Sequence, residues 1–458
     1  MPETEREQRA LVVGLGISGA AAVRLLLAQG FQVAVSDRRP KAELEEILAD
    51  LVRAGISEIE TAGHSEAFFD NRDLIVVSPG VPLALPVFIR PHEQGCEIIG
   101  EVELAARFSA AELLALTGTN GKTTTVSLLG EIFTAAEKNV FVGGNLGRPA
   151  VEMVGSGCET AILELSSFQL ESVSKFKPRV AIILNLTPDH QDRYVDAKAY
   201  LVAKTRISQA QGRDDVLILN YDDANLRAFG AELKSRRQAG ENLPEILFFS
   251  VTETLAENGA SWITDRIEIK AETLNGQPLL VELKAPVIKL PGSHNRANYL
   301  AALLTALICE LDSETVLKSM ANFAGISHRL EFVGSRNGVD YYNDSKATNI
   351  DAVIKAVSSF EKPLLLLLGG YDKGADFSLL TEHLQNNNVR QLIPFGQAAT
   401  EIKRQLSQYA QDFQAANLES ALRQAETLAE PGEVVILAPG CASFDEFVNY
   451  EARGDRFR

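Results

Sequence analysis

Two glycine-rich stretches of the chain carry residue types that bind phosphate groups. In the sequence GTNGKTT, called here the phosphate loop (residues 118–124), Lys122 and Thr123 directly follow Gly121. A lysine at this place can reach the outer phosphates of a nucleotide, and a threonine hydroxyl can bind Mg²⁺. Gly118 stands two residues later than the first glycine of the common G-x-x-x-x-G-K-[ST] pattern. The alternative is a simple glycine-rich turn with a solvated lysine, but the flanking strand and helix patterns favour a phosphate site.

The first glycine motif, GLGISG (residues 14–19), matches the G-x-G-x-x-G pattern, and Asp37 follows its last glycine by 18 residues. Such glycines let a pyrophosphate approach a helix N-terminus, and the acid can meet a ribose. Three interpretations stay open for the residues alone: a nicotinamide or flavin site, a structural turn, or a site for another diphosphate. Arg38 and Arg39 can grip an anion or a base edge, which weakens the redox interpretation.

Polar side chains also follow two later strand patterns. Glu164 ends the apolar run TAILE, and Asp189 with His190 follow the run RVAIILNLTP. Ligands collect at the carboxyl edge of parallel sheets, and Mg²⁺ prefers hard oxygen donors. These residues therefore predict a magnesium site, whereas a lysine-paired carboxylate and a structural histidine are the alternatives.

The elements that must position these residues alternate between apolar strands and amphipathic helices. This alternation predicts an α/β fold with parallel sheets, apart from a small antiparallel portion at about 250–292. Three domains are expected for 458 residues. We place a Rossmann-like domain at 1–100, a central P-loop mononucleotide-binding domain at 101–325, and a C-terminal Rossmann-like α/β domain at 326–458.

Composition excludes several classes of protein. The net charge of −17 argues against nucleic-acid binding. The four cysteines are scattered without a C-x-x-C pair, which favours a reducing compartment. The charged start lacks the apolar region of a signal peptide, and the purest apolar run, LLLLL at 364–368, is too short to span a membrane. We expect a cytoplasmic protein.

In chain order, these motifs resemble those of the Mur ligase family of ATP-dependent amide-bond ligases. The short phosphate loop, the glutamate after the next strand and the later Asp-His pair are followed by an HN…N pattern at residues 294–298 and by Arg329 in SHRLE. The resemblance covers essentially the whole chain. Three stretches resemble the branch that adds D-glutamate: NDSKATN at 343–349, LELSSFQLE at 163–171 and CASFDEFVNYEARG at 441–454.

The resemblance implies a reaction and a set of site residues. D-glutamate would be joined to UDP-N-acetylmuramoyl-L-alanine through an acyl phosphate, with release of ADP and phosphate. The residues implied to bind ATP are Gly118, Thr119, Asn120, Gly121, Lys122, Thr123, Thr124, Asn295, Asn298, Arg329, Asp344 and Lys346. Two Mg²⁺ ions would be held by Thr123, Glu164, His190 and a carbamylated Lys204.

The remaining assignments concern the other two substrates and catalysis. The sugar nucleotide is implied to contact Ile17, Ser18, Arg38, Arg39, Ser78, Gly80, Asn145 and His190. The two carboxylates of D-glutamate are implied to contact Thr348, Lys373 and Ser443. Catalytic roles are implied for Lys122, His190, Lys204 and Arg329. The first glycine motif is then interpreted as holding a substrate diphosphate, and the phosphate loop as holding ATP.

We also have expectations for the oligomeric state and for the place of the protein in metabolism. The protein is expected to act as a monomer in peptidoglycan precursor synthesis, hence in cell wall biogenesis, cell shape and cell division. Two competing classes, an NAD-dependent oxidoreductase and a nucleotide-binding regulatory protein, do not explain the central magnesium residues together with NDSKATN. Tyr450 departs from the family pattern, which commonly has Phe at this place.

Overall fold

The computed structural model of the chain describes residues 8–56, 58–145, 147–186, 197–372, 374–386, 388–410 and 414–458. The described residues form two compact units. One contains the chain up to Ala285 together with Ala297–Val316, and the other contains Pro286–Arg296 together with Leu317–Arg458. Two sheets lie in the first unit and a third lies in the second. The domain boundaries after residues 100 and 325 stay predictions.

The first sheet has five parallel strands in the order β3-β2-β1-β4-β5. The strands are β1 Arg9–Val13, β2 Gln32–Asp37, β3 Glu58–Thr61, β4 Leu74–Val77 and β5 Glu97–Gly100. The helices are α1 Ile17–Ala28, α2 Glu45–Ala54, α3 Glu66–Phe69, α4 Ile89–Glu93 and α5 Glu101–Phe108. Strand order reverses at β1, so the loops after β1 and β4 border the crevice where ligands of such sheets bind.

The second sheet has nine strands in the order β14-β13-β12-β11-β10-β9-β6-β8-β7. They are β6 Glu112–Thr117, β7 Val140–Gly144, β8 Thr160–Glu164, β9 Val180–Ile183, β10 Val216–Asn220, β11 Glu245–Ser250, β12 Gly259–Ile263, β13 Arg266–Glu272 and β14 Pro278–Lys284. β12, β13 and β14 pair antiparallel, as predicted for this part of the chain, and the other pairs are parallel. β6 lies between β8 and β9, so the three loops that follow these strands meet at one edge.

Six helices accompany the second sheet in the sequence. They are α6 Lys122–Ala135, α7 Ser167–Leu170, α8 Ala197–Thr205, α9 Ala224–Gln238, α10 Ser293–Ile308 and α11 Ser313–Asn322. The chain passes from one unit to the other within α10 and again within α11. Short 3-10 helices occur at Lys41–Glu43, Pro86–Phe88, Ala150–Met153, Arg206–Ser208 and Phe377–Leu380.

The third sheet has the strand order β15-β16-β19-β17-β18, with an antiparallel β15–β16 hairpin and parallel pairs elsewhere. Its strands are β15 Glu331–Arg336, β16 Val339–Asn343, β17 Leu364–Gly369, β18 Val389–Phe395 and β19 Val434–Gly440. The helices are α12 Ile350–Val357, α13 Thr381–Asn386, α14 Ala399–Gln405, α15 Leu418–Leu428 and α16 Tyr450–Phe457. β19 lies between β16 and β17, which gathers the loops after these three strands.

Burial of the strands follows from their sequences. β17, LLLLLG, is buried at every position, as expected for a parallel strand covered on both faces. β13, RIEIKAE, buries alternate residues, because one face of the antiparallel portion meets solvent. Among the described helices, none combines the length and apolar content needed to cross a lipid bilayer.

Helix α5 joins the first sheet to segments of the second through two buried glutamates. The Glu103 carboxylate accepts hydrogen bonds from the successive backbone N–H groups of Ser174, Lys175 and Phe176, at 2.8–3.1 Å. The Glu101 Oε1 atom accepts the Val151 N–H at 2.7 Å. These contacts make the first two sheets parts of one compact unit.

Candidate active site

The phosphate loop follows β6 and leads directly into α6. Gly118 and Gly121 have φ angles of 156° and 82°, which residues with side chains rarely adopt. A Cβ atom at Gly121 would lie 2.3 Å from the side-chain oxygen of Asn298, so the loop and α10 approach closely here. The Lys122 Nζ atom folds back over the loop and donates to the carbonyl oxygens of Gly118 and Thr119, at 2.9 and 3.0 Å.

Asn185 holds the other side of the phosphate loop, just beyond the end of β9. Its backbone carbonyl accepts the Thr119 N–H at 3.1 Å. Its carboxamide accepts the Asn120 N–H at 2.8 Å and donates to the Asn120 carbonyl at 3.0 Å. Asn185 was not predicted from the sequence, in which the acid and the histidine that follow are the more distinctive residues. The signal was present, since Asn185 is the first polar residue after a buried strand.

Glu164 ends β8 beside the phosphate loop and is buried, with 2% of the residue exposed. Its Oε1 atom accepts a hydrogen bond from the Asn145 side chain at 3.0 Å. Its Oε2 atom is buried and has no hydrogen-bond partner among the described residues. A buried anionic oxygen without a donor fits a hard cation such as Mg²⁺. Asp189 and His190 lie outside the described residues.

Lys204 is buried on α8, with 1% of the residue exposed, so it is not a solvated helix lysine. Its Nζ atom donates to the Gly118 carbonyl at 2.8 Å and lies 3.4 Å from the Thr117 hydroxyl. It also lies 4.7 Å from the ring centre of Tyr200, whose hydroxyl is 3.3 Å from that of Thr119. The structure thus brings Lys204 to the phosphate loop.

The glycines of the first motif have different physical roles. Gly14 has a φ angle of 88°, and its carbonyl accepts the Ser78 hydroxyl at 2.7 Å. A Cβ atom at Gly19 would lie 1.9 Å from that carbonyl oxygen, so packing requires glycine there. A Cβ atom at Gly16 would meet no protein atom within 4 Å. Gly16, the N-cap residue of α1, therefore faces open space that a ligand can enter.

Asp37 and Arg39 bind each other. The Asp37 carboxylate accepts the Leu15 N–H at 2.7 Å and both the Nε and Nη2 atoms of Arg39 at 3.0 and 2.8 Å. Burial acts to raise the pKa of Asp37, but these hydrogen bonds outweigh it and lower the pKa to about 2. Other residues predicted to meet the sugar nucleotide are exposed Ile17, Arg38 and Gly80, and half-buried Ser18.

In the second unit, Asp344 lies close to Arg329 and Lys346. Burial raises the pKa of Asp344 to about 7, while the Leu330 N–H and the two positive charges partly oppose this rise. Asn295, in the same unit, is buried and donates to the Pro291 carbonyl at 2.6 Å. Asp344, Arg329 and Lys346, three of the predicted nucleotide residues, thus form one cluster.

A pocket of about 400 Å³ lies at the ends of β17 and β19 in the second unit. Thr348, Tyr371 and Cys441 line it, and buried Ser443 follows shortly after β19. Burial raises the pKa of the Cys441 thiol to about 12. Lys373 lies outside the described residues. The pocket thus contains one of the three residues predicted to bind D-glutamate.

Arg453 stabilises the walls of this region and was not singled out from the sequence. The residue is buried, with 1% exposed. Its guanidinium donates to the Ser345 hydroxyl and carbonyl and to the carbonyls of Cys441 and Ala442, at 2.9–3.1 Å. Arg453 therefore ties the turn after β16 to the turn after β19.

Three family models match the chain in order. The Mur ligase MurD-like N-terminal domain matches residues 8–100, the Mur ligase middle domain matches 116–306, and the glutamate ligase domain of Mur ligases matches 328–441. The UDP-N-acetylmuramoylalanine--D-glutamate ligase of Acidobacterium capsulatum is 42% identical, with 98% of this chain and 95% of the relative covered. The enzyme of the same name from Koribacter versatilis is 40% identical, with 99% and 97% covered.

Solved structures with the same fold are more distant in sequence. MurF from Acinetobacter baumannii has a TM-score of 0.55 at 19% identity and covers 88% of this chain and 86% of its own. UDP-N-acetylmuramate-alanine ligase MurC from Thermotoga maritima has a TM-score of 0.50 at 20% identity and covers 99% and 98%. Together with the family models, these likenesses confirm the predicted three-domain α/β architecture.

Proposed function

The chain belongs to the Mur ligase family, and on this premise we propose that it joins D-glutamate to UDP-N-acetylmuramoyl-L-alanine while converting ATP to ADP and phosphate. One observation carries the proposal: the similarity to D-glutamate ligases extends over nearly the full length of both chains. The chain is an ATP-dependent, amide-bond-forming ligase of peptidoglycan synthesis. We place it in the cytoplasm as a monomer.

The chemistry requires activation of a carboxylate, because oxide is too poor a leaving group for direct attack by an amine. A carboxylate oxygen of UDP-N-acetylmuramoyl-L-alanine attacks the γ-phosphorus of ATP, and ADP leaves. The amine of D-glutamate then attacks the carbonyl carbon of the acyl phosphate and loses a proton. The tetrahedral intermediate collapses with expulsion of phosphate, which completes the amide bond.

The first step brings two anions together, so catalysis depends on positive charge placed beforehand. We assign this role to Lys122 in the phosphate loop and to Arg329 in the second unit. Thr123 and Glu164 would hold Mg²⁺, and the buried Oε2 atom of Glu164 supports this assignment. When bound, Mg²⁺ offsets phosphate charge. A second ion, with His190 and a carbamylated Lys204 as ligands, belongs to the same proposal.

The remaining contacts position the three substrates. Asn295 and Asn298 would bind the adenine, while Asp344 and Lys346 would bind the ribose and phosphates. The sugar nucleotide would lie with its diphosphate at the first glycine motif, which the open space at Gly16 supports. Asn145 would meet its other end. Thr348, Lys373 and Ser443 would bind the carboxylates of D-glutamate, and the pocket that contains Thr348 supports this placement.

Phosphate release by the purified protein tests the proposal. The reaction contains ATP, Mg²⁺, UDP-N-acetylmuramoyl-L-alanine and either D- or L-glutamate, and the expected result is turnover with the D isomer only. Turnover with L-glutamate and a folate, but not with the sugar nucleotide, would exclude this substrate assignment. Binding of NADH without binding of ATP would indicate an oxidoreductase. Binding of ATP without phosphate release would indicate a regulatory protein.

A further inference from the structure

The backbone on both sides of Arg329 is strained. In the arginine turn (residues 328–331), His328 has a φ angle of 64° and Leu330 has a φ angle of 41°. Residues with a side chain seldom adopt such angles, and for a bulky residue the conformation must be imposed by the surroundings. Strain of this kind gathers at functional sites, where it fixes the direction of a side chain.

Glu331 supplies the contacts that hold this backbone. Its Oε2 atom accepts the His328 N–H at 2.8 Å, which closes the turn on itself. The same oxygen lies 3.2 Å from the Asn343 Nδ2 atom, and Asn343 is fully buried. The Oε1 atom accepts two hydrogen bonds from the Arg458 guanidinium, at 2.8 and 2.6 Å. Both carboxylate oxygens are thus bound, and the side chain is 13% exposed.

Asn343 connects the turn to the rest of the second unit. Its Nδ2 atom lies 3.2 Å from the His328 ring nitrogen and donates to the Gly454 carbonyl at 3.1 Å. A carboxylate on one side and a buried amide on the other therefore fix His328 in the left-handed region.

The turn, once fixed, positions the nucleotide cluster of the second unit. Arg329 lies between the two strained residues. The His328 carbonyl accepts the Lys346 N–H at 3.0 Å, and the Leu330 N–H binds the Asp344 carboxylate. Arg329 is therefore the one nucleotide residue of this cluster that lies within the turn closed by Glu331, while Asp344 and Lys346 each meet the turn through a single hydrogen bond.

We propose that Glu331 is a positioning residue for phosphoryl transfer, acting through the strained turn to aim Arg329 at the terminal phosphate of ATP. The proposal rests on the nucleotide role given to Arg329 under the proposed function. Glu331 itself touches no substrate. Its effect should therefore appear in steps that involve ATP and vanish when Arg329 is absent.

A double-mutant cycle with Glu331→Ala and Arg329→Ala tests this coupling. We expect Glu331→Ala to lower kcat/KM for ATP by roughly 10- to 100-fold, as losses of oriented charge do, with KM for the sugar nucleotide within about twofold. Adding Glu331→Ala to Arg329→Ala should cost less than about threefold more, because interacting residues are not additive. Multiplicative losses in the double variant, or a rise in KM for the sugar nucleotide as large as the loss in kcat/KM for ATP, would overturn the proposal.

Two further variants separate positioning from folding. Glu331→Gln keeps an oxygen that can accept the His328 N–H, so it should retain more activity than Glu331→Ala. Glu419→Ala is the matched control, because this exposed glutamate of the same unit also binds arginines, Arg423 and Arg456. It should leave kcat/KM for ATP unchanged. If Glu331→Ala does not fold, a double-mutant cycle of Glu331→Gln with Arg329→Ala tests the coupling instead.

Titration with ATP decides the inference independently of ligase turnover. Weaker ATP binding in Glu331→Ala, with no additional weakening beyond Arg329→Ala in the double variant, supports it. Unchanged ATP binding and unchanged kcat in Glu331→Ala would overturn it. The variants could change ATP binding as expected while the wild-type protein makes no D-glutamyl product. This result would contradict the proposed function and still support the coupling between Glu331 and Arg329.

Discussion

The side chains of Lys122 and Lys204 donate to the same atom, the carbonyl oxygen of Gly118, at 2.9 and 2.8 Å. One lysine begins α6 and the other lies near the end of α8, so two separate helices bring positive charge to one peptide group. Lys204 is buried where water screens its charge poorly. Two positive charges at this place attract anions to the phosphate loop. As an ammonium ion, Lys204 repels Lys122, whereas a carbamate on Lys204 would be negatively charged and would attract Lys122.

We predict that Lys204→Met lowers kcat by about 100-fold or more, because it removes the charged group but keeps the length and apolar body of the side chain. Steady-state kinetics with all three substrates would measure the loss. Lys198→Met is the matched control, since Lys198 lies on the same helix and is exposed. Equal activity of the two variants would contradict the role given to Lys204.

Glu164→Gln is expected to raise the Mg²⁺ concentration required for half-maximal activity, by roughly 10- to 100-fold. The amide has nearly the same shape but lacks the negative charge that the buried Oε2 atom offers to a cation. A magnesium titration of the initial rate gives the result. Glu159→Gln serves as control, because Glu159 is exposed and directly precedes β8. An unchanged magnesium requirement in Glu164→Gln would argue that the ion binds elsewhere.

Gly16→Ala should separate the two glycine motifs. The protein offers room for the added methyl group, so the melting temperature should stay within a few degrees of the wild type. A diphosphate at the motif would collide with the methyl group, so KM for the sugar nucleotide should rise by roughly tenfold or more, while KM for ATP stays the same. A rise in KM for ATP instead would assign ATP to the first motif.

Stability should fall as the pH rises through 7, in part because of Glu101. Burial raises the pKa of Glu101 from 4.5 to about 7, although hydrogen bonds from Val151 and Ala150 partly oppose the shift. The folded state therefore favours the protonated acid. This contribution is complete below pH 4.5, is lost as the pH rises through about 7, and amounts to roughly 3 kcal/mol at most.

Glu101→Gln carries a neutral side chain at every pH and should remove this dependence. Urea unfolding at pH 5 and pH 8.5 would measure it. The free energy of unfolding should fall more for the wild type than for the variant between these two pH values, by about 2–3 kcal/mol. Parallel changes in the two proteins would show that Glu101 does not titrate as described.

Much of the fold was predictable because its strands are unusually apolar and its turns are rich in glycine. The run at 364–368 is typical of a strand buried on both faces, and glycines 118 and 121 marked a loop that residues with side chains rarely form. Short strands with ordinary composition, such as β3 and β5, gave no distinct pattern. Their place is fixed by pairing with neighbours that lie far away in the sequence.

Site residues were predictable where the type of side chain indicates a chemical role. They were less predictable where a side chain acts by binding backbone groups. Lys122 and Glu164 stand out by charge and position. Asn185 and Arg453 act by binding peptide groups of distant turns, and no local sequence pattern shows which turns a fold brings to them. Arg39, which is predicted to meet the sugar nucleotide, also pairs with Asp37, and its charge alone did not show this partner.

The wall of the pocket in the second unit has a consequence for covalent chemistry. Burial raises the pKa of the Cys441 thiol, so very little of it is ionised at neutral pH. Electrophilic compounds and mild oxidants react with thiolates, so they should leave Cys441 unmodified even when they enter the pocket. An inhibitor directed at this pocket would have to gain its affinity from the shape and polar groups of the wall, and a cysteine-reactive warhead would add nothing.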